Sequence, residues 1–416
     1  MSKIPTICMI PSGYKAGKVY SVLPANGDAD LTFTRVGALP SYNATRVNEN
    51  GLIEEVLSNV PRLDYSDGGC PSLLVEPQST NLVTYSEDFS DASWIKGNST
   101  ITINAILAPN ETLTADKLVE DSTNNAKFLQ KTINVVNGST YTLSCFAKKS
   151  ERKYLRIIGG ANFNGSVNFD LDNGTFQITA GNPTVSVESF SNGWYRCSIT
   201  NIVSSTSISP QISMTTSSGG TGAYAGDGTS GLYIWGAQLE AKTFATSYIP
   251  TVASTVTRVA ETVSKTGLSS YINSQEGVLF VEPSAFISSS DIRTISITDG
   301  TANNQISLRP STTITNAWQI IVRKGGIIIV NEAYSVPDIK QFSKIAIKYK
   351  LNDYAFFING VKVGTDLIAE TFTSGSLNKI AFDTGVSTGL FFGKVKNLQV
   401  FNTALSDAEL ISLTSN

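Results

Sequence analysis

Carboxylates, amides, hydroxyls and aromatic rings carry whatever chemistry this chain has, because its 416 residues include no histidine. Without an imidazole there is no Ser-His-Asp triad, no Cys-His pair and no His-ligated zinc. Cys8, Cys70, Cys145 and Cys197 show no C-x-x-C spacing, which argues against a zinc ribbon or a thioredoxin-like centre. Cys145 and Cys197 fall in two strand-like runs of one segment; a bridge between them stays open, and buried free thiols are the expected state.

Paired carboxylates are the remaining common route to hydrolysis, since a glycosidase needs two of them roughly 5–10 Å apart. The acidic clusters are Glu87-Asp88, Glu120-Asp121 and Asp407 with Glu409, the last accounted for by helix capping. The Glu-x-Asp-x-x-Glu and Glu-x-Asp-x-Glu strings of laminarinase-like enzymes are missing, so no catalytic residues are assigned and no enzyme is expected. Gly159-Gly160, Gly219-Gly220 and Gly325-Gly326 lack the lysine and following Ser/Thr of a phosphate-cradling loop. Asp170-Leu171-Asp172-Asn173-Gly174 alternates side-chain oxygens like a calcium loop, but Gly181 stands where the bidentate glutamate would be. A β-turn explains that string better; no cofactor or metal ligand is expected, with a structural calcium left open.

Aromatic side chains are the natural platforms for sugar faces. Trp194 and Trp235 sit in strongly patterned strands and read as core, whereas Trp94 lies between Asp91 and Lys96 in a polar stretch. Trp94, with Tyr224 and Asp227 of the Asn/Ser/Thr-rich loop Thr215 to Gly231, forms the expected glycan-contacting set.

The elements that position these residues are short strands. Thirty-three glycines and 16% charged residues suit strands joined by turns. Ile133 to Val136, Tyr141 to Ala147, Leu155 to Ile158, Val167 to Leu171, Phe176 to Thr179, Trp194 to Ile199 and Leu232 to Leu239 are the clearest of the middle segment. Asn137-Gly138, Asn173-Gly174, Asn192-Gly193 and Asp227-Gly228 supply its turns. Farther on, Lys344 to Tyr349 alternates as a half-solvated strand, and Ile327 to Val330 reads as buried on both faces. Asn359-Gly360 marks a tight hairpin, and Ser406-Asp407-Ala408-Glu409 a capping box that opens a short helix.

The fold class is therefore all-β: an irregular N-terminal region followed by two tandem antiparallel β-sandwiches of jelly-roll type. The expected domains are 1–80, 81–250 and 266–416, with a linker at 251–265. Seven of the fourteen prolines, Pro5, Pro11, Pro24, Pro40, Pro61, Pro71 and Pro77, crowd the first region, which looks unable to bury a core alone. A net charge of −3 gives no basic footprint for nucleic acid. No run approaches the roughly 18 apolar residues of a membrane span. Pro5 and Pro11 interrupt the weakly apolar N-terminus, so synthesis and folding in a cytosol are expected.

The run from Tyr354 to Leu413 resembles the closing strands of laminin-G-like, concanavalin-A-type sandwiches. Tyr141 to Lys148, Gly193 to Ser198, Leu232 to Glu240 and Thr246 to Thr251 resemble carbohydrate-binding-module jelly rolls of phage fibres. Thr45-Arg46-Val47-Asn48, Pro61-Arg62-Leu63-Asp64-Tyr65 and Leu73-Leu74-Val75-Glu76-Pro77 with Thr80-Asn81-Leu82 look like the N-terminal module of phage fibre and virion proteins. The resemblance implies a virion protein made in the host cytoplasm and exposed on the particle surface. It further implies attachment to other virion proteins through Arg46, Asn48, Arg62, Asp64 and Tyr65, assembly as a homo-oligomer, most simply a trimer, and binding of host cell-surface glycans. The same residues have a plainer reading, in which Arg46 and Arg62 pair with nearby carboxylates and Glu76 caps a turn. Three roles are distinguishable: an adhesin predicts a ring-lined patch, a decoration protein a large subunit interface, and a depolymerase paired carboxylates in a groove.

Overall fold

The computed structural model describes residues 3–36, 44–286 and 292–415; of the turn-signal prolines, Pro40 lies outside them. The described chain is built from antiparallel strands and one C-terminal helix. It divides into two units, one of Met1–Ser41, Val56–Pro77 and Val259–Asn416, the other of Tyr42–Glu55 and Gln78–Arg258.

The first unit packs two sheets face to face. One runs, in spatial order, Val361–Asp366, Tyr354–Ile358, Ile345–Lys350, Glu276–Ala285, Gly393–Phe401, Ser72–Val75 and Arg62–Asp64, with Ile7–Met9 also on Gly393–Phe401. The other places Leu31–Thr34 beside Thr262–Lys265, then Lys379–Ala381, Ile295–Thr298, Gln305–Pro310, Ala317–Lys324 and Ile327–Ser335. Leu279, Ile347 and Phe356 from the first meet Ile297, Ile306 and Trp318 from the second in a dry core.

Ile7–Met9, Leu31–Thr34, Arg62–Asp64 and Ser72–Val75 are thus woven into this sandwich, while Tyr42–Glu55 falls in the second unit, so residues 1–80 do not form a separate N-terminal body. The physical reason is an ionic cluster among four segments. The Arg62 guanidinium donates to Glu76 Oε2 at 2.6 Å and to Glu261 Oε1 at 2.7 Å, and Arg35 Nη1 donates to the same Glu261 Oε1 at 2.6 Å. All four side chains are buried. In such a setting each charge is tolerable only while its partners are present. The expected linker is also structured: Val256–Arg258 pairs with Ser79–Asn81, and Thr262–Lys265 with Leu31–Thr34.

Two strand readings change. Ile327–Ser335 is an edge strand with Ile327 70% exposed, so its apolar run is not a doubly buried strand. Ile345–Lys350 is buried through Tyr349, because Leu405, Leu410 and Leu413 of the C-terminal segment cover Val278, Phe280, Ala346, Ala355 and Phe357 on the outer face of that sheet. The helix responsible, Asp407–Thr414, has the expected Ser406/Glu409 capping box.

The second unit stacks a sheet ordered Ile95–Gly97, Asn124–Gln130, Gln211–Thr215, Tyr154–Ile158, Gly165–Asp170 and Thr175–Gly181 on one ordered Ser99–Ile106, Ala115–Glu120, Gly231–Glu240, Thr140–Lys149, Trp194–Ile202 and Thr184–Phe190. Leu118, Leu143, Ile199 and Ile234 face Leu129, Leu155, Val167 and Ile212 between them. Cys145 and Cys197 are register partners on neighbouring strands; both are free and buried, and burial pushes the Cys145 thiol up to about 12. A smaller cluster on the outer side of the second sheet takes Phe146, Trp194, Trp235 and Tyr248 with Ile53 and Ala108. Both tryptophans are core residues, as their strand patterning implied.

Candidate functional site

A cleft of about 570 Å³ opens beside that smaller cluster, within the second unit. Its lining comes from four stretches of chain: the hairpin around Thr45, Asn48 and Ile53 to Glu55; Glu87; Asn110 to Thr112; and Trp235 with Tyr248 and Pro250.

Each wall is fixed by local chemistry. Thr45–Val47 pairs with Ile53–Glu55 through a turn in which Asn48 Oδ1 accepts from the N–H groups of Asn50 and Leu52 at 3.0 Å each. The hairpin is docked by Thr45 Oγ1, which donates to Tyr248 O at 2.7 Å, and by Ile53 N, which donates to Pro109 O at 3.0 Å. Asn110 Oδ1 accepts from Thr112 N and Oγ1 at 3.1 and 2.6 Å, shaping the opposite rim. On the floor, the pairing of Gly231–Glu240 with Thr140–Lys149 shifts register between Ser144 and Phe146. Gly236, at φ 63°, supplies the left-handed residue of this bulge, and a Cβ there would stand 2.9 Å from the Phe146 ring and 3.2 Å from that of Tyr248.

Four carboxylates line the cleft, and among the described residues no lysine or arginine lines it. Glu54 is paired with Arg46 at 3.1 Å, and Glu55 and Glu111 are exposed. Glu87 is half-buried and accepts from the Tyr248 hydroxyl at 3.0 Å, which itself contacts Ser86 Oγ at 2.7 Å. Burial raises the Glu87 carboxyl above the usual range; the hydrogen bond from Tyr248 opposes this, and the charge of Glu55 adds to it. Among the described residues no group of three or more Cys, Asp or Glu side chains converges as a metal site. The carboxylates are distributed along the cleft, where ionised oxygens accept hydroxyl donors.

The expected site residues are distributed differently. Trp94 is only 4% exposed: its indole N–H donates to Tyr85 O at 3.1 Å, and Lys131 Nζ sits 4.8 Å from its ring centre. A ring so engaged offers no face to a sugar. Tyr224 donates to Glu120 at 2.5 Å, and its ring carries Lys127 and Arg152 at 5.3 and 5.6 Å. Asp227 accepts from Ser230 Oγ at 2.5 Å, Ser230 N at 2.7 Å and Thr229 N at 2.8 Å, which holds its carboxyl well below the usual range and accounts for it as a turn residue. Asp170 and Asp172 meet Lys153 at 3.2 and 3.0 Å in the turn between Gly165–Asp170 and Thr175–Gly181, and Lys149 also pairs with Asp172.

The five residues expected to attach the chain to a particle separate between units. Asn48 lines the cleft and Arg46 pairs beside it, whereas Arg62 belongs to the buried ionic cluster of the first unit. Asp64 is buried and meets Lys394 at 3.1 Å, and Tyr65 is half-buried. Arg46 and Arg62 thus pair with carboxylates, as the plainer reading has it, and Glu76, there expected to cap a turn, is one of those partners. Asn81 of the same string is a buried hub, donating to Ala237 O and Ile249 O and accepting from Val83 N and Leu239 N.

Residues 279–411 match the family described as the Concanavalin A-like lectin/glucanases superfamily, of laminin-G type. No curated protein matches the chain. Among solved structures, the chain is similar to a carbohydrate-binding module, CBM40, of the Ruminococcus gnavus IT-sialidase bound to α2,3-sialyllactose, at 18% identity and TM-score 0.28, over 34% of this chain and 83% of that one. Domain 4 of AbnA, an extracellular arabinanase from Geobacillus stearothermophilus in complex with arabinotriose, is similar at 14% identity and TM-score 0.31, over 41% and 82%. Mouse laminin α1 domains LG4-5 are similar at 9% identity and TM-score 0.22, over 70% and 91%. At such scores, ligand and role must be argued from this chain's own residues.

Proposed function

We propose that this chain is a phage virion fibre or spike protein whose β-sandwich units bind host surface glycans without cleaving them. The cleft of the second unit carries the reading: a concave site ringed by carboxylates, amides and hydroxyls has the composition that recognises sugar hydroxyls. The lectin-type family match of residues 279–411 is consistent with it, and the ordered N-terminal strings supply the virion context. Several copies on one particle would turn weak single sites into useful avidity. Purified full-length protein, immobilised in many copies, should retain oligosaccharides that a single copy holds weakly. Loss of retention in a Glu55→Ala, Thr112→Ala double variant supports the site, and undiminished retention contradicts it.

One observation favours a second reading, a depolymerase. Glu87 and Glu55 share the cleft, and burial raises the Glu87 carboxyl above the usual range, as the acid of a glycoside hydrolase requires. Steady release of reducing ends from host polysaccharide, abolished by Glu87→Gln, would establish that reading; binding with no release supports the adhesin.

A further inference from the structure

Resting on the reading of this cleft as a glycan site, we infer that it selects by charge, taking neutral or amine-bearing sugars and rejecting acidic ones. The lining contains Glu54, Glu55, Glu87 and Glu111 with no cation among them. Arg46 lies beside the rim, but its guanidinium is held by Glu54 through both Nε and Nη2 at 3.2 and 3.1 Å. A uronic or sialic carboxylate entering here meets like charges and no matching guanidinium. Moreover, Glu55 already perturbs Glu87, so a further anion adds to repulsion that is present before any ligand arrives. A hydroxyl-rich sugar meets the opposite situation, since each ionised carboxylate accepts two hydroxyl donors. An ammonium on the sugar gains Coulomb attraction in addition.

The test is an array of neutral, amine-bearing and carboxylated oligosaccharides probed with the full-length protein at low and high salt. Carboxylated members should bind about tenfold or more weaker than neutral ones of the same size, and amine-bearing members at least as well. The gap should shrink in 0.5 M NaCl, because exposed charges are screened. Glu55→Gln with Glu111→Gln, both at exposed positions, should narrow the gap, the carboxylated members gaining relative to the neutral ones. Equal or tighter binding of the carboxylated members overturns the charge rule while leaving glycan binding intact. Binding of no member at all overturns the glycan reading and this inference with it.

Discussion

At the scale of single residues, the side chains that gave the sequence its most specific strings are chiefly those that hold it together. Glu261 accepts from both Arg35 and Arg62, and Arg62 also reaches Glu76. Replacing it as Glu261→Gln leaves two buried guanidinium groups with the single carboxylate of Glu76 and should destabilise the first unit by about 3–5 kcal/mol, read by denaturant unfolding; a change below 1 kcal/mol would deny the cluster this role. Lys131 gives a pH test. Burial holds its ammonium down at about 8, while in the unfolded chain it titrates near 10.4. Between those values the unfolded state binds more protons, so this group's contribution to stability rises with pH through that window and is lost as pH falls through about 8. The melting temperature of wild type relative to Lys131→Met should therefore climb from pH 8 to 10; a flat difference would contradict it.

Among the elements, local signals were legible and distant ones were not. Asn359-Gly360 makes its hairpin with φ of 49° and 81°, and Ser406 caps its helix, because both are decided within a few residues. Ile7–Met9, Leu31–Thr34 and Arg62–Asp64 are only three or four residues long. Their partners lie far along the chain, as with Ile7 on Val400 and Phe33 on Val263, so neither periodicity nor turn chemistry could announce the pairing. The covered face of Ile345–Lys350 was likewise hidden, since its cover arrives sixty residues later, at Leu405 and Leu410. The cleft escaped for the same reason: Glu55, Glu87, Thr112 and Tyr248 share no spacing. One bulge ties element to site. Gly236→Ala would place a methyl against Phe146 and Tyr248 in a left-handed position, costing about 1–3 kcal/mol. It should also weaken glycan binding by shifting Trp235; an unchanged melting temperature would contradict this account of the bulge.

For the whole molecule, the N-terminal strands bear on how attachment to a particle can be tested. Deleting residues 1–76 removes Ile7–Met9, Leu31–Thr34, Arg62–Asp64 and Ser72–Val75 from the sheets of the first unit, and the Thr45–Val47 and Ile53–Glu55 hairpin from the cleft. Such a truncation should aggregate or melt far below the full chain; a soluble truncation with an unchanged melting profile would show that those strands are dispensable. Imaging of an intact particle, which leaves the fold whole, is the cleaner way to locate this region and to count subunits. The central claim, that the cleft of the second unit is where a glycan binds, is tested most directly by a crystal structure of the full chain soaked with the tightest array-selected oligosaccharide. The account predicts sugar density within the cleft, with hydroxyls on Glu55 and Thr112. Sugar bound instead at the Thr215 to Gly231 loop, with the cleft empty, would contradict it.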